Sequence, residues 1–99
     1  GFDATCVFAV TDVMAMGALA ALREAGRSVP EDVSLAGFDD IPVVRDLAPP
    51  LTTVALPLEE LGEKVMELAV RDNRGKRSRI LRMPGTVVVR ESTRPIAGV

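Results

Sequence analysis

The chain has 99 residues, 47% of them hydrophobic and 26% charged, with a formal net charge of −2. That profile suits one small globular domain in water and gives no electrostatic basis for the whole domain to bind nucleic acid. With no histidine and one cysteine, Cys6, an internal disulfide and a His-based triad are excluded, and the common transition-metal ligands are nearly missing.

The chain begins with Gly1 rather than Met and shows no signal-peptide pattern, which leads us to expect a piece of a longer protein. The run "CVFAV" (6–10) is short, apolar and rich in β-branched residues, so it reads as a buried strand with Cys6 as a plain core thiol. "TDVMAMGALAALREAGRSVP" then reads as a helix from Asp12 to Ala25. Thr11 or Asp12 caps it, Arg23 lies in its last turn, Gly26 fits the position just past its end, and Pro30 follows. "DVSLAGF" (32–38) contains a second strand. A short helical segment between Pro42 and Leu47, capped by Asp40, precedes the breaker Pro49-Pro50 and a third strand, "LTTVAL" (51–56).

Pro57 opens a second long helix, with Glu59 and Glu60 at its start and Arg71 and Arg74 near its end, as the helix dipole prefers. Leu58, Leu61, Val65, Leu68 and Ala69 share one face, and Gly75 ends it. "RDNRGKRSR" (71–79) reads as a polar basic surface loop; it lacks the interleaved aromatics of a nucleic-acid patch. Pro84-Gly85 turns the chain into a fourth strand, "TVVVRE" (86–91). This alternation predicts an α/β fold with a mostly parallel sheet and helices on both faces. No apolar run approaches the roughly 18 residues that a membrane helix needs.

Ligands of such sheets bind beyond the carboxyl ends of the strands. Thr11 and Asp12 follow the first strand and Asp39 and Asp40 follow the second, so parallel strands bring all four to one rim. A carboxylate there can accept two hydrogen bonds from neighbouring hydroxyls of a polyol or sugar. A purely local reading stays open beside it: Asp39 ends the strand through a turn bond, Asp40 caps the short helix, and Asp12 caps the long one. Acid–base catalysis by the Asp pair has little support, because no third acid, histidine or glycine-rich phosphate loop accompanies it. A magnesium site would want more oxygen ligands than the pair supplies. The helix from Asp12 is apolar almost all round, from Val13 to Leu22, and needs cover beyond one sheet face. Another subunit or a missing part of the protein would supply it, with Gly17 and its flanking alanines allowing close approach, unless this chain's own helices cover it.

Taken together, "FAVTDVMAMGALAALREAGRSVPEDVSLAGFDDIP", "PPLTTV" and "VVVRESTRP" resemble the lactose-repressor family of bacterial transcription regulators over about Phe8 to Pro95. The resemblance implies that residues 1–99 are part of the C-terminal lobe of a two-lobed, periplasmic-binding-protein-like core. The N-terminal lobe and the DNA-binding headpiece lie outside this chain. It implies a cytoplasmic, non-enzymatic repressor without cofactor, off the membrane, that binds a small sugar-like effector in the cleft between lobes. It acts as a homodimer and touches operator DNA only through the missing headpiece. A periplasmic sugar-binding protein of a transport system is the alternative. By position, Asp39 grips effector hydroxyls and Asp12 supports the rim. Thr11 stands where many sugar-responsive members carry asparagine, and Leu56 where the family often has glutamine, which points to a less polar or rearranged ligand. Met16 and Ala20 on the long helix, with Val43, Val44 and Leu47, match the region through which these regulators dimerise.

Overall fold

A computed structural model describes residues 3–71 and 80–96. Its elements in order are β1 (Cys6–Phe8), α1 (Asp12–Glu24), β2 (Ser34–Ala36), a 3-10 turn (Pro42–Arg45), β3 (Thr53–Ala55), α2 (Leu58–Val70) and β4 (Thr86–Val88). β1 and β2 pair in parallel, with Val7 opposite Leu35. Two parallel bridges, Ala36 to Thr52 and Asp39 to Ala55, carry the layer on to β3. β4 closes it antiparallel to β3, with Val54 opposite Val87. The expected α/β architecture with mostly parallel strands therefore holds, and the last strand is the antiparallel one.

α1 starts where the sequence signals it. Thr11 is its N-cap, and the Thr11 hydroxyl accepts from the Met14 N–H at 3.2 Å. Gly26, at φ +74°, takes the left-handed conformation that ends the helix, a shape other residues adopt at a cost. Ala15 and Leu19, one turn apart, bury the inner face against Leu35, Val44 and Leu51. Half-buried Val7, Ala9, Ala18, Val29, Ile41 and Leu47 pack around this core. Burying a side chain such as Leu35 or Leu51 contributes roughly 1.5–3 kcal/mol. The outer face stays apolar and open: Val13 and Met14 are 66% and 60% exposed.

The tail after β4 is stitched under the sheet. Ser92, 1% exposed, donates through its hydroxyl to the Leu35 carbonyl at 2.6 Å and accepts from the Thr52 N–H at 2.8 Å. Its backbone carbonyl accepts from the Leu35 N–H at 2.9 Å, and its own N–H donates to the Pro50 carbonyl at 3.0 Å. Ser92 thus fills the place beside β2 just before β3 begins, and satisfies buried groups that would otherwise cost free energy.

Three expectations fail here. "CVFAV" is not a buried strand: β1 pairs only with β2 among the described residues, and Cys6, Phe8 and Val10 are exposed. Its sequence suits a strand with neighbours on both flanks, and the described chain supplies one. The short segment is a 3-10 turn whose N-cap is Ile41, with no side-chain cap, so Asp40 does not cap it. α2 starts as expected after Pro57 but ends at Val70, with Arg71 an extended C-cap and no basic residue in its last turn, and none of its residues is fully buried. The radius of gyration, 18.0 Å, exceeds the roughly 13 Å of a compact chain of this length. Arg74, Gly75 and the rest of 72–79 lie outside the described residues.

Candidate functional site

The carboxyl ends of β1, β2 and β3 lie side by side. The Ala9 N–H donates to the Ala36 carbonyl at 2.8 Å, and the Asp12 N–H to the Phe38 carbonyl at 2.9 Å. On the other flank of β2, the Gly37 N–H donates to the Thr52 carbonyl and the Asp39 N–H to the Val54 carbonyl, both at 2.9 Å. Thr11, Asp39 and Leu56 therefore sit on one rim, since Leu56 directly follows Ala55, the bridge partner of Asp39. The parallel order of the strands alone makes this juxtaposition.

The two aspartates differ. Asp39 (φ 126°) and Asp40 (φ 59°) both lie in the left-handed half of backbone space. Such residues cost on the order of 1–3 kcal/mol each and persist only where surrounding contacts hold them, although Asp tolerates the region better than most. Among the described residues, the Asp39 carboxylate has no hydrogen-bond or ion-pair partner. Asp40 is enclosed, its side chain 10% exposed, with Arg90 Nη2 2.7 Å from Oδ1 and Arg45 Nη2 3.3 Å from Oδ2. Burial pushes its carboxyl pKa up, but the Arg90 and Arg45 guanidiniums outweigh that and hold it below the ordinary value of 3.8. The local reading of the pair as turn and cap thus fails for Asp40, whose carboxylate is committed to arginines, and leaves Asp39 free to accept.

Asp12 corrects a second expectation. Thr11 is the cap, while the Asp12 carboxylate is fully buried and turned towards the loops. It accepts from the Thr53 hydroxyl at 2.6 Å and from the Ile41 N–H at 2.9 Å. Counted by sequence among the ligand-binding residues, it lies beneath the rim with its oxygens occupied, and it cross-links β3, the Ile41 turn and α1. Gly37 makes this possible: a Cβ there would run into Asp12 Oδ1 and come within 3.0 Å of Leu51 Cδ2. Gly85 plays a like part beside Leu56, since its Cβ would lie 2.8 Å from Val54 Cγ1 and 3.5 Å from Leu56 Cδ2.

Of the expected interface residues, Ala20 and Val43 are exposed and Met16 and Leu47 half-buried. Val44 is 0% exposed and belongs to the core, because the 3-10 turn points it inward beneath Leu51 while Val43 faces out. The contributions of Gly37, Thr53, Arg90 and Ser92 escaped the sequence reading. Their one trace was the unusual density of Thr, Ser and Arg in "LTTV" and "RESTRP". In a groove at the far end of α1, between Arg23, Ser28 and Pro49, Arg23 donates to the Ala48 carbonyl and the Ser28 N–H to Asp32 Oδ2. Among the described residues, no three His, Cys, Asp or Glu side chains gather as a metal ion would require, and no helix is long and apolar enough to cross a membrane.

The model of the periplasmic binding protein-like domain matches residues 3–93. The HTH-type transcriptional regulator DegA of Bacillus subtilis is 45% identical over 94 residues, which cover 93% of this chain and 28% of that protein. A LacI family transcriptional regulator from Enterococcus faecium, solved with bound ribose, superposes with a TM-score of 0.81 at 39% identity, covering 96% of this chain and 36% of that one. The lac repressor dimer bound to operator and an anti-inducer superposes with a TM-score of 0.80 at 30% identity, covering 90% and 32%. The chain spans under a third of the length of the curated relatives it matches, and the lactose-repressor resemblance rests on these similarities as well as on its motifs.

Proposed function

This chain belongs to the periplasmic binding protein-like domain family, and we propose that within it the chain is the effector-sensing and dimerising portion of a bacterial transcriptional repressor. The observation that carries the reading is the Asp39 carboxylate, without a partner among the described residues, on a rim held by Asp12, Thr53 and the Asp40–Arg90 ion pair. A carboxylate held this way can accept paired hydrogen bonds from vicinal hydroxyls without rearranging, and so adds affinity by preorganisation. Thr11 offers one hydroxyl beside it, and Leu56 an apolar wall. The effector is a small sugar or related metabolite with at least one apolar face. Ribose bound to the Enterococcus relative supports that class.

This rim is one wall of a cleft whose other wall lies in a second lobe of the complete gene product. The effector controls operator binding only by favouring one lobe arrangement over another, since equal affinity for both shifts nothing. The outer face of α1, with Met16 and Ala20, joins Val43 and Leu47 of the Pro42–Leu47 segment in a homodimer contact. Operator DNA is reached through a headpiece outside these residues, in the cytoplasm, and the protein performs no chemistry on its effector. Regulators among the relatives favour this over a transport protein.

The test is a thermal-shift screen of pentoses, hexoses, disaccharides and nucleosides on the complete gene product, followed by calorimetry of the best ligand with Asp39→Ala. A charge-assisted contact is worth about 1.5–3 kcal/mol, so affinity should fall roughly tenfold or more with the dimer intact. Unchanged affinity in that variant refutes the assignment.

A further inference from the structure

We propose that Arg90 is a positioning residue for the effector loop: its ion pair with Asp40 holds the left-handed Asp39–Asp40 backbone and ties that loop to the strand returning from α2. The inference deepens the reading of Asp39 as an effector contact and rests on it for its functional meaning.

Consecutive non-glycine residues at positive φ need external restraint. The Asp40 N–H reaches Thr53 Oγ1 only at 3.4 Å, and the Asp39 side chain has no partner among the described residues. Asp12 holds the residues on either side, Phe38 and Ile41, and the two strained residues themselves are held by the Asp39 N–H on the Val54 carbonyl and by the Asp40 carboxylate between its two arginines. The arginines are not equivalent. The Arg45 guanidinium is 3.3 Å away and 65% exposed, so solvent screens it. That of Arg90 is 2.7 Å away and 15% exposed.

Arg90 is itself held from several sides. Its Nη1 donates to the Leu51 carbonyl at 3.0 Å, its backbone N–H donates to Thr52 Oγ1 at 2.9 Å, and its carbonyl accepts from that hydroxyl at 3.3 Å. One guanidinium fork thus spans the rim loop and the entry to β3, a geometry that a lysine ammonium cannot reproduce. Its place in the chain gives the contact a second meaning. β3 leads out to α2 and β4 leads back, and Arg90 lies two residues past β4. Arg90 therefore joins the effector loop to the segment that follows β4.

Site-resolved hydrogen exchange on the complete gene product, without ligand, tests this directly. In Arg90→Gln, the Asp39 and Asp40 amides should exchange roughly tenfold faster or more, while those of Leu35 and Gly37 stay within about twofold. Asp40→Asn should reproduce the effect, Arg90→Lys should recover part of the protection, and Arg45→Gln should change little. Unchanged exchange at Asp39 and Asp40 in both Arg90→Gln and Asp40→Asn overturns the proposal. So does uniform acceleration through β2 and β3, or failure of both variants to fold, since Arg90 would then hold the fold rather than the loop. No ligand enters these measurements, so they stand apart from the effector reading. If Asp39→Ala binds the screened ligand as the natural protein does, that reading falls while the exchange result for Arg90 remains.

Discussion

Two regions of this molecule follow opposite rules. The unit formed by residues 5–56 and 90–94 contains every buried side chain described, and its loops are cross-linked by Asp12, Thr53, Ser92 and Arg90. α2 is a regular helix of 13 residues with Glu59 and Glu60 in its first turn and no basic residue in its last, and none of its residues is fully buried. A helix that short draws most of its stability from packing rather than propensity, so α2 suits a surface that the described residues do not offer. The difference teaches where constraint lies: on the rim that carries Asp39, not on the arm beyond Leu56.

The comparison breaks most readily in the core. In the 99-residue chain, Leu35→Ala or Leu51→Ala should cost about 2–5 kcal/mol in chemical denaturation, whereas Val65→Ala on α2 should cost less than roughly 0.5 kcal/mol. Equal losses at the two sites would erase the distinction. Next in size, Gly37→Ala drives a methyl into the Asp12 carboxylate, and Thr53→Val leaves that buried carboxylate short of a donor. Each should cost about 1–3 kcal/mol in the same assay. Val43→Glu acts differently: it should leave unfolding nearly unchanged in a monomer but abolish the proposed dimer of the complete gene product by burying an unpaired charge, as light scattering will report. The smallest effect is that of pH. Because the Asp40 carboxyl lies below 3.8 when folded, its ion pair stabilises the protein above the unfolded pKa. That contribution fades only as pH drops through the folded value, below 3.8. The stability gap between the natural chain and Asp40→Asn should therefore persist at neutral pH and close in acid unfolding below that point.

Local signals in the sequence placed both helices and the order of the strands. The Thr11 cap, Gly26 at its left-handed position and the Pro57 start each act within a few residues and read directly. The shared rim of Thr11 and Asp39 also followed from strand order. What did not read through were contacts made at long range. Asp40 looked like a cap because its arginine partner lies 50 positions away, at Arg90. Val44 was grouped with the interface because the resemblance takes in the whole segment Val43–Leu47, whereas the 3-10 turn sends Val43 to solvent and Val44 to the core. "CVFAV" looked interior because composition reports what a strand suits, not whether a second neighbour is present.

Among the described residues, one flank of β1 pairs with no strand, and it is bordered by Phe8 and Val10, 60% and 67% exposed. Such an edge is a template on which another extended segment, including a copy of itself, can add. A preparation of these 99 residues alone is therefore prone to stack into edge-to-edge aggregates, and a charged residue at position 8 or 10 is the simplest remedy.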